Sequence, residues 1–259
     1  MNVGKENWRD SVGKFRYAHS PIVEALCEFG FTPGAEWNSE VLSGFEHAFE
    51  DDFPRFQALK TIQAQISVNQ MGVHQGIVHG ERNQFVSEDG FSMVQIGPNT
   101  LTINDLKPYS GWDLFKPAIL HALATYKRVA NPASLFRAHL RYINRIELDG
   151  ESVELDDWFQ FSFRQPAMQN LPGASNYIVG ANYPFSEHVT LKIEVANAPA
   201  PEKVLASMVD LEYVLVGENV LMFAEVENWL EEAHARIESA WLGSITEKLH
   251  LKYKPGVIQ

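Results

Sequence analysis

The residues best equipped for chemistry gather in one stretch, Ser134 to Leu148, which reads S-L-F-R-A-H-L-R-Y-I-N-R-I-E-L. Arg137, His139, Arg141 and Arg145 share one parity of this stretch, and Phe136, Ala138, Leu140 and Tyr142 share the other. A strand sends successive side chains to opposite faces, so the pattern predicts an apolar face and a basic ladder. Arginines grip carboxylate and phosphate groups and stabilise charge that develops in a transition state, and histidine can move a proton. One use of the ladder is therefore a binding site for a protein or an anionic ligand. Another is a hydrolase or nuclease site, in which His139 works with Arg137, Arg141 and a carboxylate such as Glu194. The sequence shows no nucleophile or metal cluster to go with it. A third use is structural. Glu24 and Glu28, on an earlier strand-like run, repeat the spacing of Arg137 and Arg141, and paired strands would let the acids neutralise the bases.

A second cluster lies at Ile103 to Trp112, I-N-D-L-K-P-Y-S-G-W. Asn104, Lys107, Tyr109 and Trp112 are its candidate contact residues, placed between a strand and a helix, where connecting segments often carry function. The competing reading gives Asn104 and Asp105 to a turn, Ser110 to a helix cap, and Tyr109 and Trp112 to the edge of the core. His74 and His79 are five residues apart, but no third ligand stands at a recognisable distance, so no metal site is predicted. His234 has Glu231 and Arg236 near it on a helical segment; pairing with Glu231, or burial at a helix–sheet contact, competes with a role as a base. Phosphate-binding glycine loops, the dinucleotide fingerprint, the nucleophile elbow, the zinc-protease motif and C-x-x-C are all missing, and no cofactor is expected.

The elements that would position these residues follow from periodicity. Residues 1–20 read as a polar arm with little regular structure. Val23, Ala25, Cys27, Phe29 and Phe31 alternate with Ile22, Glu24, Leu26 and Glu28 in a first strand, closed by Pro33-Gly34. Asn38 or Ser39 can cap a helix carrying Val41, Leu42, Phe45, Ala48 and Phe49. Strands are expected at 61–69, 84–87, 91–96 and 101–104, with a Glu88-Asp89-Gly90 hairpin turn. Trp112, Phe115, Ile119, Ala122, Leu123 and Tyr126 then form the apolar stripe of a helix.

The order restarts with the strand at 134–148. A short helix near 155–163, strands at 176–183, 189–195 and 207–216, and a helix sustained from about 222 to 250 follow. This predicts an α+β fold: an antiparallel sheet with helices on one face, built from two tandem strand–helix–sheet–helix repeats, 21–130 and 131–259, in one continuous globular unit. By order of elements it resembles the TATA-box-binding-protein-like fold, which says nothing of function. The other sheet face would be open and polar, carrying Gln63, Gln65, Ser67, Asn69, Gln95, Thr102, Asn104, the basic ladder, Thr190, Lys192, Glu194, Asp210 and Glu212.

Composition narrows the choice. The 259 residues are enough for a sizeable core, and 45% of them are hydrophobic. Lys and Arg number 21 against 33 Asp and Glu, a net charge of −12, which argues against binding nucleic acid through its backbone. The lone Cys27 cannot form a disulfide within the chain. No apolar run is long enough for a membrane span and the start lacks a signal-peptide core, so the expected location is cytoplasmic.

Four stretches also carry a family resemblance: P-I-V-E-A-L-C-E-F from Pro21, L-K-P-Y-S-G-W from Leu106, L-R-Y-I-N-R-I from Leu140, and A-H-A-R-I followed by S-I-T-E-K-L towards the end. Together they resemble a sporadically distributed family of uncharacterised prokaryotic proteins of about this length, over residues 18–252. Trp241 stands where a smaller aromatic is expected. The family supplies no catalytic residues to carry over. Its patchy distribution is typical of mobile or defence-associated genes, and so implies a non-catalytic sensor or accessory module of an anti-phage or toxin–antitoxin-like system, whose partner is a protein encoded nearby.

Overall fold

The computed structural model describes residues 15–34, 36–69, 72–150, 154–161 and 177–257, and leaves the side chains of 59–81 undescribed. Within these limits the chain forms an α+β fold with one nine-stranded antiparallel sheet. The strands are β2 (Ile22–Thr32), β3 (Arg55–Asn69), β4 (Gly72–Val86), β5 (Ser92–Gly97), β6 (Thr100–Leu106), β7 (Ser134–Asp149), β8 (Ile178–Pro184), β9 (Val189–Ala198) and β10 (Val204–Val216), in the order β3-β4-β5-β6-β2-β7-β10-β9-β8. A separate two-stranded ribbon joins β1 (Phe15–Tyr17) to β11 (Pro255–Val257). The end of the expected arm is therefore a strand.

The helices α1 (Ser39–Phe49), α2 (Trp112–Ala130) and α3 (Val226–Ser244) cover one sheet face. Their apolar stripes meet the odd-numbered residues of β2. Phe31 stacks on Tyr126 of α2 at 4.3 Å, Phe49 of α1 packs on Phe85, and Trp229 of α3 packs near Tyr213 of β10. Asn38 caps α1 by accepting bonds from the backbone N–H groups of Glu40 and Val41, at 3.0 and 3.1 Å. The Glu88-Asp89-Gly90 hairpin forms as expected, with Gly90 at φ 82° and Asp89 accepting from Phe91 N–H.

Three elements differ from the periodicity. The segment holding His74 and His79, between the strands expected at 61–69 and 84–87, is itself part of strand β4; the side chains of both lie outside the described residues, as do those of Gln63, Gln65, Ser67 and Asn69. The short helix near 155 is a single 3₁₀ turn at Leu155–Asp157. The last helix stops at Ser244, because Ile245 turns extended and bridges Phe159, and Thr246 then caps the short α4 (Glu247–Lys252).

The halves run in a common order outward from the central β2–β7 pair. On one side come β6, β5, β4 and β3, and on the other β10, β9 and β8, each half closing with a long helix. They differ in strand number, and only the 3₁₀ turn stands among the described residues where the first half has α1.

Between β2 and β7 the register slips at Gly30/Phe31, where Phe136 is the extra residue on β7. The slip sends Leu135 into the core at 1% exposure. Phe136 goes to the open face instead, where its ring tip stands over Gly30, 2.9 Å from where a Cβ would sit. Strict alternation had put Phe136 on the apolar face with Ala138, Leu140 and Tyr142. The bulge gives a test. Leu135→Ala should lower unfolding free energy by about 2–5 kcal/mol, as for other buried leucines. Phe136→Ala, though it removes more atoms, should cost less than Leu135→Ala in urea melts; the reverse ranking would show that the faces are misassigned.

Candidate functional site

The basic ladder lies on the face that the helices leave uncovered, and each rung meets carboxylate. In the register of β7 and β10, Glu212 stands opposite Arg141. Arg141 forks onto Asp210: Nε donates to Oδ1 at 2.8 Å and Nη2 donates to Oδ2, while Glu212 lies 3.6 Å from Nε. Arg137 approaches Glu28 at 3.5 Å, and Arg82 of β4 reaches the same carboxylate at 3.6 Å. Arg145 donates to Glu147 at 2.7 Å and to the carbonyl of Pro199 at 2.7 Å. His139 is buried, with Nε2 3.4 Å from Glu212 Oε2 but outside hydrogen-bond geometry. Lys192 of β9 bridges Glu212 and Glu194 at 3.2 and 3.6 Å.

The pairing is partly the one expected. Arg137 does meet Glu28, but Arg141 turns to Asp210 and Glu212 on the opposite neighbour. Glu24 instead accepts a 2.6 Å bond from Asn104 Nδ2, and Gln95 donates to Asn104 Oδ1 at 3.1 Å. Asn104 thus belongs to this face and not to a loop. The result is a mosaic of alternating sign. Arg82, Arg137, Arg141, Arg145 and Lys192 interleave with Glu24, Glu28, Glu147, Glu194, Asp210 and Glu212.

Glu212 is the hub. Burial pushes its carboxyl up, but His139, Arg141 and Lys192 outweigh burial and bring it down to about 2. Arg141 is in turn pushed up, mainly by its bond to Asp210.

Lys107, Tyr109 and Trp112 do not join this face. Lys107 is exposed, just before a cis peptide bond to Pro108. Ser110 does not cap α2; Gly111 occupies the cap position at φ 99°, and the Ser110 hydroxyl and N–H both donate to Asp105. Tyr109 and Trp112 turn to the helix-covered side. There Tyr109 Oη lies 3.1 Å from Tyr142 Oη, which lies 3.2 Å from His234 Nδ1. The His234 ring stacks on Trp112 at 4.2 Å. His234 is therefore held at a helix–sheet contact, and burial, only partly opposed by Glu231 and Asp113, brings it down to about 4. A neutral imidazole at pH 7 follows.

Sequence reasoning passed over two groups here. Asp210 and Glu212 were expected on the open face but not as the partners of Arg141, because no local signal names the strand beside β7. Tyr142 read as an apolar-face residue, although its hydroxyl links Tyr109 to His234. Among the described residues no three His, Cys, Asp or Glu side chains are placed to hold a metal ion, and no helix is long and apolar enough to cross a membrane. Comparison with protein-family models and with curated proteins finds no match.

The mosaic predicts an acid-sensitive fold. A carboxyl whose folded pKa lies below its ordinary value stabilises the fold in full above that value, 4.5 for Glu212, and loses this contribution as pH falls towards about 2. Glu212→Gln should flatten this part of a stability–pH profile. Arg141→Met should cost roughly 1–3 kcal/mol at pH 7, between the limits for exposed and buried pairs, because it removes the forked partner of Asp210. An unchanged melt would mean that the fork contributes nothing to the fold.

Proposed function

We propose that the protein is a non-catalytic binding module, a sensor or accessory component of a prokaryotic defence-type system, which docks a partner protein on the open face of its sheet. The observation that carries this reading is the ion-paired mosaic itself. Its cations are already compensated by neighbouring carboxylates. An isolated phosphate or a nucleic-acid backbone would have to displace those carboxylates, whereas a protein surface with its own alternating charges can pair with them in register. Exposed apolar side chains on the same face, such as Val216 at 46% exposure, offer the desolvated contacts on which affinity rests.

The hydrolase or nuclease reading draws less support. Its proposed base, His139, is 6% exposed, and its Arg141 is forked onto Asp210. The defence setting and the adjacent-gene partner rest on the four resembling stretches, and the common order of the two halves supports reading them as a tandem duplication.

The test uses the product of the gene that neighbours this one. Co-expression should give a complex that survives gel filtration. Val216→Glu should weaken it by about tenfold or more, some 1.4 kcal/mol, without shifting the thermal melt. A neighbouring product that forms no complex, or a complex indifferent to Val216→Glu and to a second face variant, Lys192→Glu, would defeat the docking face. Hydrolysis of a phosphodiester that is abolished by His139→Gln would restore the enzyme reading.

A further inference from the structure

On the helix-covered side, the first turn of α2, the middle of α3 and β1 close over strands β2 and β7 and leave a cavity of about 490 Å³ between them. That lies inside the range of small-molecule sites, roughly 300–1,000 Å³. Five large aromatic residues line it: Tyr17, Tyr109, Trp112, Tyr142 and Trp241. Their mutual contacts hold the space open. Trp241 Nε1 donates to Tyr17 Oη at 3.0 Å, Tyr17 Oη lies 2.9 Å from His250 Nδ1, and the Tyr109 and Tyr142 rings meet edge to face at 5.7 Å.

The charges around this wall are already committed. Arg16 pairs with Asp113 at 3.0 Å, and Lys116 pairs with Glu231 at 2.7 Å and with Glu227 at 3.3 Å. Glu238 is not free either. Burial keeps His234 neutral at pH 7, and it keeps the phenols of Tyr17, Tyr109 and Tyr142 in their neutral form. A charged guest would give up its water and meet only counter-ions that are already engaged, which is costly. An uncharged guest avoids that cost. What the cavity offers it is ring surface and a chain of neutral polar groups. Tyr109 Oη lies 3.1 Å from Tyr142 Oη, which lies 3.2 Å from His234 Nδ1. This chain can run in either direction. With the His234 proton on Nε2, Tyr142 donates to the imidazole, Tyr109 donates to Tyr142, and Tyr109 Oη can accept from a guest. With the proton on Nδ1, both bonds reverse and the Tyr109 hydroxyl has its own proton to give.

We propose that this cavity binds an uncharged aromatic molecule carrying a hydroxyl or similar hydrogen-bonding group, with its ring among the aromatic side chains and its polar group at the Tyr109 hydroxyl. The inference does not depend on the docking role of the opposite face. The probe is 2-naphthol, which is neutral at pH 7. Calorimetric titration of the full chain should give saturable binding. Naphthalene, the ring alone, should bind several-fold more weakly, the worth of one net hydrogen bond. The anion 2-naphthoate and the cation 2-naphthylmethylammonium should each bind at least about tenfold more weakly than 2-naphthol.

Tyr109→Phe should bring 2-naphthol down to the affinity of naphthalene and leave naphthalene itself unchanged, whereas Trp112→Leu should weaken both. Val216→Glu, on the far side of the sheet, should change neither, so that loss of the docking face and loss of this site are read separately. Absence of saturable 2-naphthol binding by the unaltered protein would overturn the proposal. So would naphthalene or either charged analogue binding as tightly as 2-naphthol, or full 2-naphthol affinity in a Tyr109→Phe or Trp112→Leu protein that melts as a folded domain. Should either variant fail to fold, the four probes on the unaltered protein still decide the outcome.

Discussion

The antiparallel pairing of β2 with β7 is the contact on which the rest depends. Among the described residues it is the one place where the first half of the chain is hydrogen-bonded to the second within the large sheet. It also sets the parity of both faces. With Cys27 opposite Leu140 and Phe29 opposite Ala138, one face becomes mainly apolar and takes the helices. The same register puts Glu28 opposite His139 and Leu26 opposite Arg141, so the charged residues share the other face. A slip of one residue would exchange the faces and bury the ladder, which is why register is so strongly specified where one side of a sheet is dry.

Both faces of that pair then specialise. Tyr142 and Arg141 are neighbours in sequence but serve different environments. Tyr142 reaches into a hydrogen-bonded aromatic cluster under α2 and α3, while Arg141 is forked onto a carboxylate in the open mosaic. The strand thus separates a neutral, ring-lined interior from an ionic exterior by the thickness of one backbone. Phenols and an imidazole survive inside without ionising because burial moves each towards its neutral form.

Much of this was legible from residues alone. The alternation in β2, β6, β7 and β10, the stripe of α2 and the Asn38 cap are all local signals, and each specified its element. The bulge at Phe136 was not legible, because an extra residue in one strand is defined only by the partner across from it. The break after Ser244 was hidden for a similar reason: the apolar spacing continues through Ile245, but Ile245 pairs with Phe159, far away in sequence. The partners of Arg141 required knowing that β10, not only β2, lies beside β7. Strand order is a long-range property, and spacing along the chain does not encode it. Tyr109 and Trp112 were singled out for their chemistry, and the structure placed them together with His234, but on the side of the sheet away from the arginines.

The interleaving of charges on the open face has a kinetic consequence. Strands lie about 4.8 Å apart, so opposite charges alternate over that distance across the sheet. The field of such a pattern dies away within a spacing or so, inside the Debye length of about 8 Å at physiological ionic strength. A molecule approaching this face therefore feels almost no local pull until it touches. For the docking proposed above, this means fit at contact without steering, and an expected encounter rate at the slow end of protein association, about 10⁵–10⁶ M⁻¹s⁻¹. Whatever selectivity the surface has is expressed in how long a partner stays rather than in how fast it arrives.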